Sequence, residues 1–244
     1  MTLIAAFRGR NGGILLCSDR EENDGYSKRA VDKIYRIRDF LPCEVFIAGA
    51  GPTSVITNTC TKIHEVMSRA TKDSRNILAE HQLFIEHGLK ESYVKYAREL
   101  KQYPMGLIIV VASREVNVAP ILYRTQKDKL VPENLYASDG SGKTIADYLS
   151  DRLYIHGMYK DALVFLASFI FREAGESSCG VGLGTDMIFI NEESKTLHFL
   201  YPDAVKEIES HIPSLKDSVH EHWKNVAVVP AWLVSDSTPS TSRK

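Results

Sequence analysis

The sequence has 244 residues, of which 44% are hydrophobic and 25% charged, and its formal net charge at pH 7 is −1. This composition is typical of a globular protein with a large buried core, and the balanced charge favours neither a nucleic acid nor an acidic membrane surface as a partner. The longest apolar runs, such as GLIIVVA at 106–112, are too short to cross a bilayer, and the first residues lack the pattern of a signal peptide.

The four cysteines are widely spaced and form no Cys-x-x-Cys pair: Cys17, Cys43, Cys60 and Cys179. This spacing is typical of buried thiols in a reducing compartment. We therefore expect a cytoplasmic protein. No G-x-G-x-x-G or P-loop sequence opens a helix, so we expect no cofactor.

The first fifty residues predict about four short strands. TLIAAFRG and ILLCSD flank the turn RNGG, which predicts a hairpin. REENDGYSKRA is polar and predicts a loop or short edge pieces, and VDKIYRIRD and EVFIAGAG resume the strand pattern.

The hydrophobic period then changes to that of helices. Segments 52–69 and 77–100 predict two successive helices, the first with a proline at its first turn. Strands return in MGLIIVVAS, VAPILYRTQ and KLVPENLYASDG, helices at 143–155 and 160–173, and strands again in MIFINEES and KTLHFLYP.

This order predicts an α+β fold in which two antiparallel sheets are covered by helices on their outer faces, a four-layer αββα sandwich. We expect a single domain over residues 1–234. The remaining segment 235–244, SDSTPSTSRK, has few apolar residues and predicts a disordered tail.

Thr2 stands directly behind the initiator methionine. Removal of Met1 would give Thr2 a free α-amine, with an ordinary pKa of about 7.7–8.0, beside its hydroxyl. A nearby lysine such as Lys33 would lower the proton affinity of both groups, and Asp19 could neutralise that lysine. The N–H of Gly49, just before a helix, could donate to an oxyanion. Each residue also has an ordinary structural interpretation as a strand end, a solvated charge or a turn.

Several segments in order resemble one known family. TLIAAFRGRNGGILLCSDR, VDKIYRI and FIAGAGPTSVI are similar to the opening of a proteasome β-type subunit, an N-terminal-nucleophile hydrolase of the threonine peptidase class with bacterial proteasome-like relatives. MGLIIVVAS, APILYRTQKDKL and YASDGSGKTIADYL continue the resemblance over most of residues 2–190. The α-type members carry an extension ahead of this region, so the start at Met1 favours the β type.

The resemblance implies a role for each matching residue. Thr2 would be the nucleophile, with its own amine as general base. Asp19 and Lys33 would be its acidic and basic partners, and the N–H of Gly49 would form the oxyanion hole. Ser141, in the segment DGSG, would hydrogen-bond the terminal amine.

The resemblance departs from the family at its second acidic residue, which lies in a D-x-x-S-G stretch. The nearest match is ESSCG at 176–180. Glu176 would replace the aspartate, and Cys179 would stand where a serine is usual. These changes lengthen one arm of the supporting network and weaken a hydrogen-bond donor.

The same matching implies a substrate pocket. Its lining would be Val31, Tyr35, Ile47 and Gly51, with Val55 deeper. Because these residues are apolar and a glycine leaves room at the mouth, we expect a preference for large hydrophobic side chains before the cleaved bond.

We therefore expect a threonine-type endopeptidase that acts on peptides or unfolded proteins inside a self-compartmentalised homo-oligomeric ring, with an ATPase unfoldase as a candidate partner. Two alternatives keep the fold: an amidohydrolase of a small amide, and a non-catalytic scaffold subunit, against which the joint presence of Thr2, Asp19, Lys33 and Ser141 argues. The segment HEH at 220–222 offers no third ligand, so we expect no metal.

Overall fold

Along the chain, three groups of strands alternate with groups of helices. The computed structural model describes residues 2–23, 27–37, 43–73, 77–113, 118–178, 180–182, 184–191, 197–200 and 202–226. The strands are β1 (Leu3–Arg8), β2 (Ile14–Asp19), β3 (Glu21–Asn23), β4 (Lys28–Ala30), β5 (Ile34–Ile37), β6 (Cys43–Ala50), β7 (Gly106–Ser113), β8 (Ile121–Gln126), β9 (Lys129–Pro132), β10 (Tyr136–Gly140), β11 (Thr185–Ile190) and β12 (Leu197–Leu200). The helices are α1 (Thr53–Asp73), α2 (Ile77–Lys95), α3 (Ala97–Gln102), α4 (Lys143–Leu153), α5 (Lys160–Ser177) and α6 (Pro202–Val226).

Two five-stranded antiparallel sheets form the middle of the structure. The first has the order β10-β1-β2-β11-β12 and the second the order β5-β6-β7-β8-β9, while β3 and β4 form a separate two-stranded ribbon. Apolar side chains from both sheets pack between them, among them Ile4, Leu16, Phe46, Ala48 and Ile108. The two sheets therefore lie face to face.

Helices cover the outer face of each sheet. Leu3, Phe7 and Leu15 pack with side chains of α4 and α5, and Ile47 and Ile109 pack with side chains of α1 and α2. Because both faces of these strands are covered, their sequences are continuous apolar runs rather than an alternation of apolar and polar residues. The predicted αββα sandwich is confirmed.

Three elements differ from the sequence prediction. The predicted helix 77–100 is interrupted at Tyr96, whose ψ of 22° is not helical, so α2 and α3 are separate. The segment KLVPENLYASDG supplies two strands, β9 and β10, which belong to different sheets. Helix α6 was not predicted, although Val205, Ile208 and Ile212 recur at helical spacing in its sequence.

Residues 1–209 form one compact unit and residues 210–244 a second. All the strands and the site described below belong to the first unit. The single domain over 1–234 stays a prediction, and the tail 235–244 lies outside the described residues. Among the helices described above, none combines the length and the apolar content needed to cross a membrane.

The contact between α1 and α2 depends on Gly88. A Cβ at this position would lie 2.9 Å from Cα and 3.0 Å from Cγ1 of Ile63. We expect Gly88→Ala to lower the free energy of unfolding by about 1 kcal/mol, because overpacking costs about 1–3 kcal/mol and the higher helix propensity of alanine offsets about 1 kcal/mol of it. Urea denaturation measures this. Lys90→Ala, exposed on the same helix, is the control, with an expected change within about 0.5 kcal/mol. Equal stabilities of the two variants would contradict the close approach.

Candidate active site

The candidate site lies at the start of β1, an interior strand of the first sheet. Leu3 pairs with Gly140 at the end of β10, and β2 on the other side ends at Asp19. Thr2 therefore lies between Asp19 and Ser141. Gly140 has a φ of +101°, and a Cβ there would lie only 2.0 Å from the carbonyl oxygen of Thr2. Only glycine allows this approach.

The ammonium group of Lys33 links the residues of the site. Its Nζ donates to Oγ1 of Thr2 at 2.9 Å and to Oδ1 of Asp19 at 3.0 Å. It also donates to the backbone oxygen of Glu21. An ammonium has three hydrogens, and these three acceptors account for all of them. Lys33 is thus held as a cation directed at the hydroxyl of Thr2.

Asp19 is fully buried and is held by backbone N–H groups from three segments. Leu3 donates to its Oδ1 at 2.9 Å, and Glu21 and Gly182 donate to its Oδ2 at 3.1 and 3.4 Å. Burial raises the pKa of Asp19 above its ordinary value, and Lys33 and these N–H groups oppose the rise. The carboxylate is therefore a fixed acceptor rather than a free acid.

The charge of Lys33 is opposed by burial and supported by acidic neighbours. Burial lowers the pKa of Lys33 below its ordinary value. The ion pair and hydrogen bond with Asp19 act in the opposite direction, followed by the charges of Glu22 and Glu21. Asp19 is thus the group on which the ammonium depends most.

Ser141 holds Thr2 by both its backbone and its side chain. Its N–H donates to the carbonyl oxygen of Thr2 at 2.8 Å, and its Oγ accepts from the nitrogen of Thr2 at 3.2 Å. The structure therefore brings Thr2, Asp19, Lys33 and Ser141 together, as the sequence predicts.

Glu176 does not join this cluster. It lies on α5, where its Oε1 pairs with Nε of Arg172 at 3.1 Å and half of its side chain is exposed. This position differs from the predicted one in the network that supports Thr2, because the helix continues through Glu176 and points it along its own surface. Beyond α5, the N–H of Gly182 donates to Asp19, and Thr185 pairs with Asp19 where β11 lies beside β2. Cys179 lies outside the described residues.

Gly49 is near the site, but its N–H already has an acceptor. It donates to the carbonyl oxygen of Lys33 at 3.2 Å. The predicted oxyanion role therefore requires this amide to exchange a long hydrogen bond for a new one. A Cβ at Gly49 would also lie 2.5 Å from Cγ2 of Ile56, so packing against α1 demands glycine here as well.

One residue of the predicted substrate pocket, Ile47, is not accessible to a substrate. Val31 and Tyr35 are half-buried and Gly51 is exposed, so these three residues are accessible. Ile47 and Val55 are 0% exposed. The strand alternation of β6 turns Ile47 toward the helices, so its predicted contact with substrate is wrong in this structure.

Sequence reasoning missed Glu21 and Gly182. Glu21 contributes a backbone oxygen to Lys33 and a backbone N–H to Asp19, and Gly182 contributes an N–H. Backbone groups leave no signature in residue types. The one available signal was the spacing of Glu21, two residues after Asp19. In the described ranges, no group of three or more His, Cys, Asp or Glu could hold a metal ion.

Comparison with known proteins gives structural matches only. No family model matches the sequence, and no curated protein does. The chain is similar to the solved structure of the helical assembly of the Anbu complex from Pseudomonas aeruginosa, with a TM-score of 0.76, 13% identity, and coverage of 94% of this chain and 98% of that one. It is also similar to an Anbu (Gly-1) mutant from Hyphomicrobium sp. strain MC1, with a TM-score of 0.73, 14% identity, and coverage of 92% and 97%.

A third match corrects the family predicted from the sequence. Anbu from Yersinia bercovieri, described as an ancestral beta-subunit, has a TM-score of 0.72, 13% identity, and coverage of 90% and 97%. The predicted assignment to the proteasome β-type subunits is wrong, because the matching structures are Anbu proteins and no family model matches. At 13–14% identity the likeness shows a shared N-terminal-nucleophile hydrolase fold and nothing finer.

The buried ion pair makes the stability of the protein depend on Asp19. We expect Asp19→Asn to lower the free energy of unfolding by about 3–5 kcal/mol at neutral pH, because it leaves the ammonium of Lys33 buried without a counter-charge. Without that counter-charge the folded-state pKa of Lys33 falls further below its unfolded value of about 10.4. The loss of stability is complete at pH values below the folded-state pKa of Lys33. It shrinks as the pH rises from there toward the unfolded-state pKa of Lys33. Urea denaturation at several pH values measures both effects.

The matched control also removes the unpaired ammonium of Lys33. In the double variant with Lys33→Met, the loss should be smaller than the sum of the two single losses and should not shrink with rising pH. A loss in Asp19→Asn that is independent of pH would contradict the charged pair.

Proposed function

We propose that the protein is an N-terminal-nucleophile hydrolase that cleaves peptide bonds with Thr2, once Met1 has been removed. The observation that supports this proposal is the hydrogen bond from the ammonium of Lys33 to Oγ1 of Thr2 at 2.9 Å, with Lys33 itself held by Asp19. A cation fixed at this distance stabilises the negative charge that develops on a hydroxyl oxygen as it loses its proton.

Lys33 is not the base in this proposal. We assign Lys33 as a cation paired with Asp19, and an ammonium has no lone pair with which to take a proton. Loss of Met1 converts the nitrogen of Thr2 into an amine with an ordinary pKa of about 7.7–8.0. That amine belongs to the same residue as the nucleophile, and Ser141 Oγ already lies 3.2 Å from it. We assign the amine as general base and Ser141 as the residue that orients it.

The reaction proceeds through an acyl-enzyme. Oγ1 of Thr2 attacks the carbonyl carbon, and its proton passes to the α-amine. The tetrahedral oxyanion collapses, the C–N bond breaks, and the leaving amine takes the proton. Water then attacks the ester carbonyl carbon and gives one proton to the α-amine. The bond between this carbon and Oγ1 breaks, Oγ1 takes the proton back from the amine, and the acid is released. The N–H of Gly49 serves the oxyanion if it leaves the carbonyl oxygen of Lys33.

Self-association belongs to the same proposal. The Anbu protein from Pseudomonas aeruginosa was solved as a helical assembly, and we propose a homo-oligomer for this chain by analogy. Enclosure in an oligomer would restrict an unselective peptidase to chains that can enter it. The closed ring, the ATPase unfoldase and the cytoplasmic location remain predictions.

The first test is Thr2→Ala, which removes the attacking hydroxyl. We expect the hydrolysis of fluorogenic peptides to fall on the order of 10⁴-fold or more, as for the loss of other enzymatic nucleophiles. Thr2→Ser keeps both the hydroxyl and the amine and should retain measurable turnover. Thr61→Ala, which removes an exposed hydroxyl on α1, is the matched control and should leave the rate unchanged.

Mass spectrometry of the intact protein checks the premise of this assignment. A peptidyl epoxyketone bonds to a hydroxyl and an α-amine on the same residue, so it should label Thr2 in a sample that lacks Met1. Retention of Met1, or no labelling of a Met-free sample, would instead support the non-catalytic scaffold. Turnover of small amides without turnover of peptides would support the amidohydrolase.

A further inference from the structure

A carboxylate without a part in the hydrolytic steps lies at the edge of the candidate pocket. Glu22 follows Glu21 in β3, and Glu21 binds Lys33 through its backbone oxygen. Because side chains alternate along a strand, Glu22 points to the opposite side of the ribbon from Glu21. Its side chain is only 18% exposed.

Two contacts place this carboxylate between the ribbon and the start of α1. Oε1 of Glu22 accepts a hydrogen bond from Oγ1 of Thr53, the first residue of α1. Across the ribbon, Nε of Arg29 pairs with its Oε2. Thr53 comes two residues after Gly51, the exposed glycine that is predicted to leave room at the mouth of the pocket. Glu22 therefore borders this mouth.

The charge of Glu22 acts on both the site and the pocket. It helps to raise the pKa of Lys33 and that of Tyr35, so it lies close to the cation beside Thr2 and to an accessible pocket residue. The hydrogen bond from Thr53, and then the pairing with Arg29, lower the pKa of Glu22 below its ordinary value. The pocket is bordered by a permanent negative charge.

We propose that Glu22 makes the pocket select a basic side chain, arginine or lysine, before the cleaved bond. This inference rests on the proposed function of Thr2, and it replaces the preference for large apolar side chains predicted from the sequence. The aliphatic part of such a side chain would pack on the ring of Tyr35 while its charged end meets Glu22.

Arg29 does not cancel this preference. Its side chain is 70% exposed, and ion pairs that involve such exposed groups contribute little free energy. A substrate cation would reach the same carboxylate from inside the pocket, beside Thr53 and Tyr35, with less solvent around it. Arg29 is then a competitor that the substrate displaces, so its removal should strengthen the selection.

Three peptidyl epoxyketones test the proposal, with arginine, leucine or glycine next to the reactive group. The rate of labelling at Thr2 is followed by mass spectrometry, and the glycine probe reports the reactivity of Thr2 without a pocket side chain. We expect the arginine probe to label about tenfold faster than the leucine probe, the ratio that corresponds to one enclosed charge pair.

Two variants should shift the ratio of arginine to glycine labelling in opposite directions. Glu22→Gln should lower it about tenfold, and Arg29→Gln should raise it. Glu44→Gln, which alters a carboxylate paired with Arg36 in the second sheet, is the matched control and should leave the ratio unchanged.

The possible outcomes separate this inference from the proposed function. Faster labelling by the leucine probe, or an unchanged ratio in Glu22→Gln, would overturn the selection while leaving Thr2 as the nucleophile. If Glu22→Gln fails to fold, Arg29→Gln decides, and a ratio that does not rise overturns the selection. No labelling by any probe, glycine included, would overturn the nucleophile and the selection with it.

Discussion

The buried ion pair between Asp19 and Lys33 is the interaction on which the site depends. Two charges removed from water are unfavourable unless each is paired and hydrogen-bonded. Asp19 meets this requirement with N–H groups of Leu3, Glu21 and Gly182, which come from β1, β3 and the segment before β11. The ion pair can therefore form only when these distant parts of the chain are in register. The position of Lys33 beside Thr2 follows from the assembly of the sheets.

The layered fold could be predicted from the sequence because burial on both faces leaves a strong pattern. The continuous apolar runs of β1, β2 and β7 and the helical period of α1, α4 and α5 are direct consequences of the layers. The break at Tyr96 is a local backbone change that leaves no change in residue type. Helix α6 was detectable in the same way as α1, α4 and α5, because Val205, Ile208 and Ile212 recur at helical spacing, and the sequence prediction missed it.

The site could be predicted only in part, because a resemblance transfers positions along a chain and not the faces on which side chains lie. Thr2 and Lys33 lie directly before β1 and β5, and Asp19 and Ser141 lie at or directly after the ends of β2 and β10. The packing of the two sheets brings these four residues together. Ile47 was placed in the pocket although strand alternation turns it into the core. Glu176 was assigned to the network that supports Thr2 although α5 continues through it. The N–H of Gly49 was assigned to an oxyanion although the pairing of β5 with β6 already uses it.

The position of β1 between β2 and β10 affects when the site can form during synthesis of the chain. The second sheet pairs strands that follow one another along the chain, β5 to β9, so each can add to its predecessor as translation proceeds. In the first sheet, β1 lies between β2 and β10, and the hydrogen bond between Thr2, just before β1, and Ser141 spans 139 positions. Such long-range pairings form slowly. A nascent chain on the ribosome thus carries an incomplete site until more than half of it has emerged, which delays any reactivity of Thr2 until the protein can fold around it.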